Sequence, residues 1–196
     1  MASVQLLGLD EVQRALSKLG QERLNIAIAA GINRTAVQAD RTLKIEMTRT
    51  IDRPTPFTLN ATRIWKAERN KLRATLSIQR IQAQYLIYAI KGGTLPTILE
   101  PINISTDRHG NIRGKKGGMQ KIASTGRKRF VATINGTTGV WQRYGAKGRK
   151  LKLLVKASKN RERRPRWDFF EIGERVVRER LQRDVREAVQ REIGLL

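Results

Sequence analysis

The chain has 196 residues, with Lys+Arg 40 against Asp+Glu 17, a net charge of +23, one histidine and no cysteine. That length suits a single domain able to bury roughly 70% of its unfolded surface, and the absence of Cys excludes disulfides, thiolate metal sites and cysteine nucleophiles together. A field this positive draws polyanions, which leaves nucleic acid, an acidic protein surface or anionic lipid as partner classes.

Lipid ranks last. No apolar run approaches the roughly 20 residues of a membrane span, and the N-terminal "MASVQLLGLDEVQ" lacks a basic segment followed by an apolar core, so the chain is read as soluble and unexported. In "GLDEVQRALSKLG", Asp10 serves as N-cap, Val12, Ala15, Leu16 and Leu19 share a face, and Gly20 is a natural stop, which predicts a short amphipathic helix. A second, longer helix is expected from Leu24, Ile28, Ile32, Ala36, Ala39, Leu43 and Met47, which recur at spacings of three or four. "DRPTPF" ends it, since proline cannot continue a helix.

Periodicity then changes. Leu72, Ala74, Leu76 and Ile78 alternate with polar residues, the period of a strand with one buried face. "QAQYLIYAIKGGTLP" admits either helix or strand, closed by Gly92, Gly93 and Pro96. "EPINISTDRHGNIRGKKGG" predicts a strand, a turn at His109 to Asn111 and a short return strand, and residues 92–129 as a whole are expected to form an extended loop or flexible basic arm. "RFVATINGTTGVWQRYG" reads as a hairpin around "NGTTG", with "KLKLLVKAS" as a third strand. After Pro165 a terminal helix is expected, with Phe170, Gly173, Val177, Leu181, Val185, Ala188 and Ile193 on its apolar face. The fold class is α+β: N-terminal helices, a mostly antiparallel sheet and a C-terminal amphipathic helix.

Little in the chain supports reaction chemistry. His109 stands alone in a turn, and a zinc site wants three or four His, Cys or carboxylate ligands. The acids are scattered among different elements, whereas metal-dependent phosphoryl chemistry needs several converging. "GKKGG" and "YGAKGRK" lack the spacing and strand-to-helix context of a phosphate loop. No catalytic residue, metal ligand or cofactor is therefore expected.

The basic clusters are the firmer signal: Lys115, Lys116, Lys121, Arg127, Lys128 and Arg129; then Lys147, Arg149, Lys150, Lys152 and Lys156; then Lys159, Arg161, Arg163, Arg164 and Arg166. The first two groups, Lys121 and Lys156 aside, are the candidate DNA-facing or assembly contacts, although charge alone reads no base sequence. Aromatics make up only 5% of the chain, which limits stacking on single strands. Trp141 and Tyr144 are candidate interface aromatics; in the rival reading Trp141 packs inward while Arg143 faces out.

These stretches together resemble a known family: "GLDEVQRALSKL" ahead of "AIAAGINRTAVQADRTLKIEM", then "DRPTPFTLNATRIWKA", "QAQYLIYAIKGG", "DRHGNIRGKKGG", "GVWQRYG" before a basic tract, and the closing "WDFFEIGERVV". They look like the minor tail protein Z and tail-completion (neck) proteins of tailed bacteriophages. The resemblance spans most of the chain and implies a single tail-completion-like domain over 1–196. It implies a virion component at the head-proximal end of the tail, a homo-oligomeric ring of six-fold or multiple symmetry. The implied partners are the tail terminator, the tail tube and the connector, with non-specific contact to genomic DNA, no membrane, no cofactor and no enzyme activity. The alternative is a free basic nucleic-acid-binding protein of ribosomal or chromatin-like type.

Overall fold

The structure is a computed structural model that describes residues 9–113, 118–159 and 161–194. It is α+β, with helices at both ends of the chain and antiparallel strands between them. The chain divides into two compact units, one gathered from 1–47, 59–82 and 168–196, the other from 48–58 and 83–167.

The first unit joins α1 (Leu9–Thr50), the antiparallel pair β1 (Thr62–Trp65) and β2 (Thr75–Ile78), and α5 (Phe169–Ile193). Two expected N-terminal helices are one, because Gly20 continues the helical backbone instead of turning left-handed. A helical glycine costs about 1 kcal/mol relative to alanine, too little by itself to break a long helix.

The buried face of α1 keeps the expected Ala39, Leu43 and Met47 but departs from the expected one before them. Ala27, Gly31, Thr35, Ala39, Leu43 and Met47 are buried, a strict i+4 row, whereas Leu24 is exposed and Ile28 and Ile32 are half-buried. The α5 face that is buried carries Phe169, Ile172, Val176, Asp184 and Ala188, leaving Phe170 and Val177 exposed. Two rows of i±4 residues, one from each helix, match ridge-into-groove packing. The contact is close: a Cβ at Gly31 would lie 2.5 Å from the Val185 Cα and 2.9 Å from the Asp184 carbonyl oxygen. Beside it the buried Thr35 hydroxyl donates to Asp184 Oδ2 at 3.0 Å. Polar residues at the edge of the row bind the hairpin region. The Asn33 side chain mimics a backbone partner, donating to Ala67 O at 2.9 Å and accepting from Ala67 N at 2.7 Å. Asp40 accepts from Thr62 Oγ1 and from Lys44 Nζ.

The second unit contains α2 (Pro56–Leu59) up to Thr58, most of α3 (Arg80–Ile90), the pair β3 (Gly93–Leu95) with β8 (Arg161–Arg163), and a four-stranded antiparallel sheet. The sheet order is β4 (Ile98–Pro101), β7 (Lys150–Ser158), β6 (Thr137–Tyr144), β5 (Arg129–Ile134), with α4 (Met119–Ala123) packed on β5 and β6. The ambiguous "QAQYLIYAI" is helical. The hairpin forms, with a tighter connection than the expected "NGTTG": Thr137, Thr138 and Gly139 belong to β6, and Ile134 lies opposite Thr137 across a two-residue turn in which Asn135 and Gly136 both have positive φ, 49° and 76°. That is the mirror-type turn whose twist suits a hairpin, and Asn and Gly are the residues that tolerate it.

The register of β6 on β7 slips between Val140, opposite Val155, and Trp141, opposite Leu153. Leu154 is the extra residue of a β-bulge, so Leu154 and Val155 are both buried. The Leu154 carbonyl accepts from the amides of Ile102 and Asn103 at 2.9 and 3.1 Å, and Asn103 Nδ2 donates to Leu153 O at 2.9 Å. This ties down the stretch expected to be an arm. Within 92–129, β3, β4 and α4 are regular, Ile122 and Ala123 belong to the core with Val140, Leu154 and Val155, and Ile104 and Ile112 pack against it. The sequence missed this because these isoleucines are isolated among polar and glycine residues and show no periodicity until they meet the sheet.

Candidate functional site

Antiparallel pairing brings the start of β5, the end of β6 and the start of β7 to one end of the sheet. The candidate cations sit on those three strand ends and the two loops that serve them. Arg127 and Lys128 precede β5 and are exposed. Their carbonyls accept from Gln142 Nε2 at 3.4 Å and from Arg143 N at 3.0 Å, which ties that loop to β6. Lys147 and Arg149 occupy the tight β6–β7 loop, a single 3₁₀ turn over Ala146–Gly148, and both are exposed. Lys150 lies opposite Tyr144 and Lys152 opposite Gln142, so each pair shares a sheet face with Cβ atoms about 5 Å apart. Lys115 and Lys116 lie outside the described residues.

Two lysines here adopt a backbone that glycine would favour: Lys128 has φ 59° and Lys147 φ 58°. For a residue with a side chain this costs roughly 1–2 kcal/mol, and Gly145 and Gly148, with φ of 75° and 68°, relieve the rest of the second loop. Between Asp107 and Glu162 the chain has no Asp or Glu. The repulsion among these cations is therefore not offset by neighbouring acids in sequence, and an external polyanion would relieve it.

Arg129 stands apart from the other candidates. Its side chain is half-buried and folded over Gly126, where a Cβ would meet its Nε at 2.3 Å, and its Nη1 donates to Thr125 Oγ1 at 3.2 Å. It braces the loop instead of facing outward. Of the two aromatics, Tyr144 is 47% exposed. Trp141 is half-buried, opposite Phe130 and Leu153, with Nε1 donating to Ala132 O at 3.1 Å.

Arg143 corrects the expectation that it would face away from Trp141. The two are two residues apart on a regular strand, so they share a face, and the Arg143 guanidinium lies 5.2 Å from the Phe130 ring centroid, a cation–π distance. Reasoning from charge clusters also missed Arg143 as a member of the basic end, because in sequence it is flanked by Gln142 and Tyr144. The long acid-free stretch is the signal that would have included it.

The bulge splits the basic strand. Strict alternation would put Lys150, Lys152 and Lys156 on one face; the extra residue sends Lys156, opposite Gly139, to the other. Lys150 and Lys152 remain beside Tyr144 and Gln142.

The first unit presents a different surface. A groove of 660 Å³ runs past Ile32, Leu43, Leu72, Leu76, Phe170 and Val177, and Phe170 is 61% exposed. Exposed apolar surface of this kind marks interaction sites in soluble proteins.

Among the described residues no group of three or more His, Asp or Glu is placed to hold a metal ion, and no helix is long and apolar enough to cross a membrane. His109 sits in a closed turn: the Asp107 carboxylate accepts from the amides of His109 and Asn111 at 2.8 and 2.9 Å. Those donors, Asn111 first, hold the Asp107 carboxyl below the usual carboxylate range. No protein-family model, curated protein or solved structure matches the chain.

Proposed function

We propose that this chain is a structural subunit of a tailed-phage virion at the head-proximal end of the tail. Its copies form a ring that joins the tail to the connector and lets DNA pass. The observation that supports this most is the basic end of the sheet, where Arg127, Lys128, Lys147, Arg149, Lys150 and Lys152 converge without an acid between Asp107 and Glu162. Flexible lysines and arginines on turns attract phosphates but carry no fixed base-reading geometry, which suits a polymer that must slide. The resemblance of the sequence to tail-completion proteins supplies the setting, and the apolar groove beside Phe170 supplies surface for a second copy. The chain acts as scaffold and not as enzyme.

Purified full-length protein tests this by light scattering and electron microscopy, together with binding to duplex DNA across a salt series. Ring-shaped oligomers, and detection of the chain at the neck of intact particles, are the expected results. A monomer at all concentrations that grips duplex DNA, with a log–log salt slope of about −5 for six phosphate contacts, would favour a free nucleic-acid-binding protein instead.

A further inference from the structure

We infer that the second unit contains a binding pocket for a phosphorylated nucleoside, built from Arg163, Arg164 and Arg166 of the third basic cluster, with Arg53 and two tyrosines. The pocket is lined by residues other than those at the basic end of the sheet, and the inference does not depend on where the chain resides.

The cavity measures 480 Å³, inside the roughly 300–1,000 Å³ span of small-ligand sites. Four arginines, Arg53, Arg163, Arg164 and Arg166, are among its lining residues, and Asp52 is the one acidic residue among them. That carboxylate is already held: Arg53 Nε donates to Oδ1 and Oδ2 at 3.1 and 3.2 Å, and Nη2 donates to Oδ2 at 3.0 Å. The other three lining arginines have no second acidic residue among the lining to serve them. A guanidinium fork matches the oxygens of a phosphate, so this surplus points to a phosphate group.

The backbone that carries these arginines is fixed. Arg163 pairs with Gly93 in the β3–β8 ladder, and the amides of Arg166 and Trp167 both donate to the Ala89 carbonyl, at 2.7 and 3.0 Å. Gly92, at φ 73°, permits the close approach, since a Cβ there would stand 2.7 Å from the Arg163 carbonyl oxygen. Trp167 is fully buried and anchors the end of the segment. A strap held at both ends presents its side chains with little ordering left to do on binding.

Tyr85 and Tyr88 lie three residues apart on α3, neighbours on one face of the helix, and both line the cavity. The Tyr85 hydroxyl shares a hydrogen bond of 3.1 Å with Thr58 Oγ1, which holds a ring that is 41% exposed. A partly exposed, tethered aromatic ring lining the same cavity as the arginines would offer a nucleobase a stacking surface while its phosphate meets a guanidinium. His109 also lines the cavity, with Nδ1 3.2 Å from the Arg53 carbonyl and Nε2 3.1 Å from Arg108 Nε. These contacts fix the ring in the cavity wall.

The test uses the full chain at about 150 mM salt, where long-range attraction is screened. Calorimetry with thymidine monophosphate, thymidine and inorganic phosphate is paired with anisotropy of a labelled, 5′-phosphorylated oligothymidylate. The monophosphate is expected to bind at least about tenfold tighter than either thymidine or phosphate alone, because only it engages both the ring and the guanidiniums. Arg164→Gln with Arg166→Gln, and separately Tyr85→Ala, should each weaken it about tenfold or more, while Tyr85→Phe keeps the ring and stays within about threefold. Lys150→Gln with Lys152→Gln should leave monophosphate binding unchanged. Competition of the monophosphate with the oligonucleotide would identify the ligand as a nucleotide unit of a strand; monophosphate binding with no competition from the oligonucleotide would identify a free nucleotide. Equal affinity for phosphate and monophosphate, no detectable monophosphate binding, or full binding by the folded arginine and Tyr85→Ala variants would each overturn the inference.

Discussion

Replacing Gly31 by alanine tests the packing of the first unit. The added Cβ would stand 2.5 Å from the Val185 Cα, 2.8 Å from Val185 N and 2.9 Å from the Asp184 carbonyl oxygen. Ordinary carbon contacts lie near 3.5–4.0 Å, so α5 would have to withdraw by about 1 Å. All three obstacles are backbone, and no rotamer change removes them. Overpacking costs roughly 1–3 kcal/mol, and withdrawal also weakens the buried 3.0 Å bond from Thr35 to Asp184, worth about 1.5–3 kcal/mol because its acceptor is charged. Alanine returns about 1 kcal/mol of helix propensity. The net expectation is a loss of about 2–4 kcal/mol, a fall in Tm of roughly 5–15 °C for a chain of this size. Thermal unfolding followed by circular dichroism measures it. Gly20 and Gly173 supply controls of opposite sign: nothing lies within 4 Å of a Cβ at either, so alanine should raise stability at each by about 1 kcal/mol. A Gly31→Ala protein as stable as the native one would refute the close α1–α5 contact. A Gly20→Ala protein that melts lower would restore Gly20 as the end of a helix.

Thr35→Val removes the hydroxyl donor from the Asp184 carboxylate, which is 3% exposed, and is expected to cost about 2–3 kcal/mol of stability measured by urea unfolding; adding Asp184→Leu should recover part of that loss. The Asp107 carboxyl, depressed chiefly by the Asn111 amide, holds its turn fully above the unfolded value near pH 4 and loses that hold as pH falls through the lower folded value. The His109 and Asn111 amide shifts should follow that titration by NMR, and Asp107→Asn should abolish the step. Lys150→Gln with Lys152→Gln should reduce the salt slope of duplex DNA binding by about 2, and an unchanged slope would remove the basic end of the sheet from the DNA path. Phe170→Asp should leave Tm nearly unchanged, since the ring is 61% exposed, while abolishing self-association in light scattering; persistence of the oligomer would exclude the groove as the ring contact.

The residues themselves determined the features that depend on near neighbours. "NG" between two apolar runs specifies a mirror-type turn because Asn and Gly accept positive φ. "DRHGN" closes on its own aspartate because an Asx side chain reaches the amides two and four residues on. Of the alternating stretch 72–78 only Thr75–Ile78 is strand, and Leu72 lies exposed before it; that strand and the long periodic runs at both ends still gave the right fold class, and the concentration of positive charge was visible before any folding.

Tertiary contact decided the rest. Periodicity favours the largest apolar side chains, so it selected Ile28 and Ile32 on α1 and Phe170 and Val177 on α5. The faces that are buried run through Ala27, Gly31, Thr35 and Ala39 because two helix backbones meet there and only small residues fit between them. The single extra residue at Leu154 reversed the face of Lys156, and strand register gathered cations from separate loops at one end of the sheet. The pocket beside Arg163 joins residues from 50–58, 85–89, 109–111 and 163–166. Distances along the chain contain no record of such convergence, since each element's placement depends on the shape of the surface it packs against.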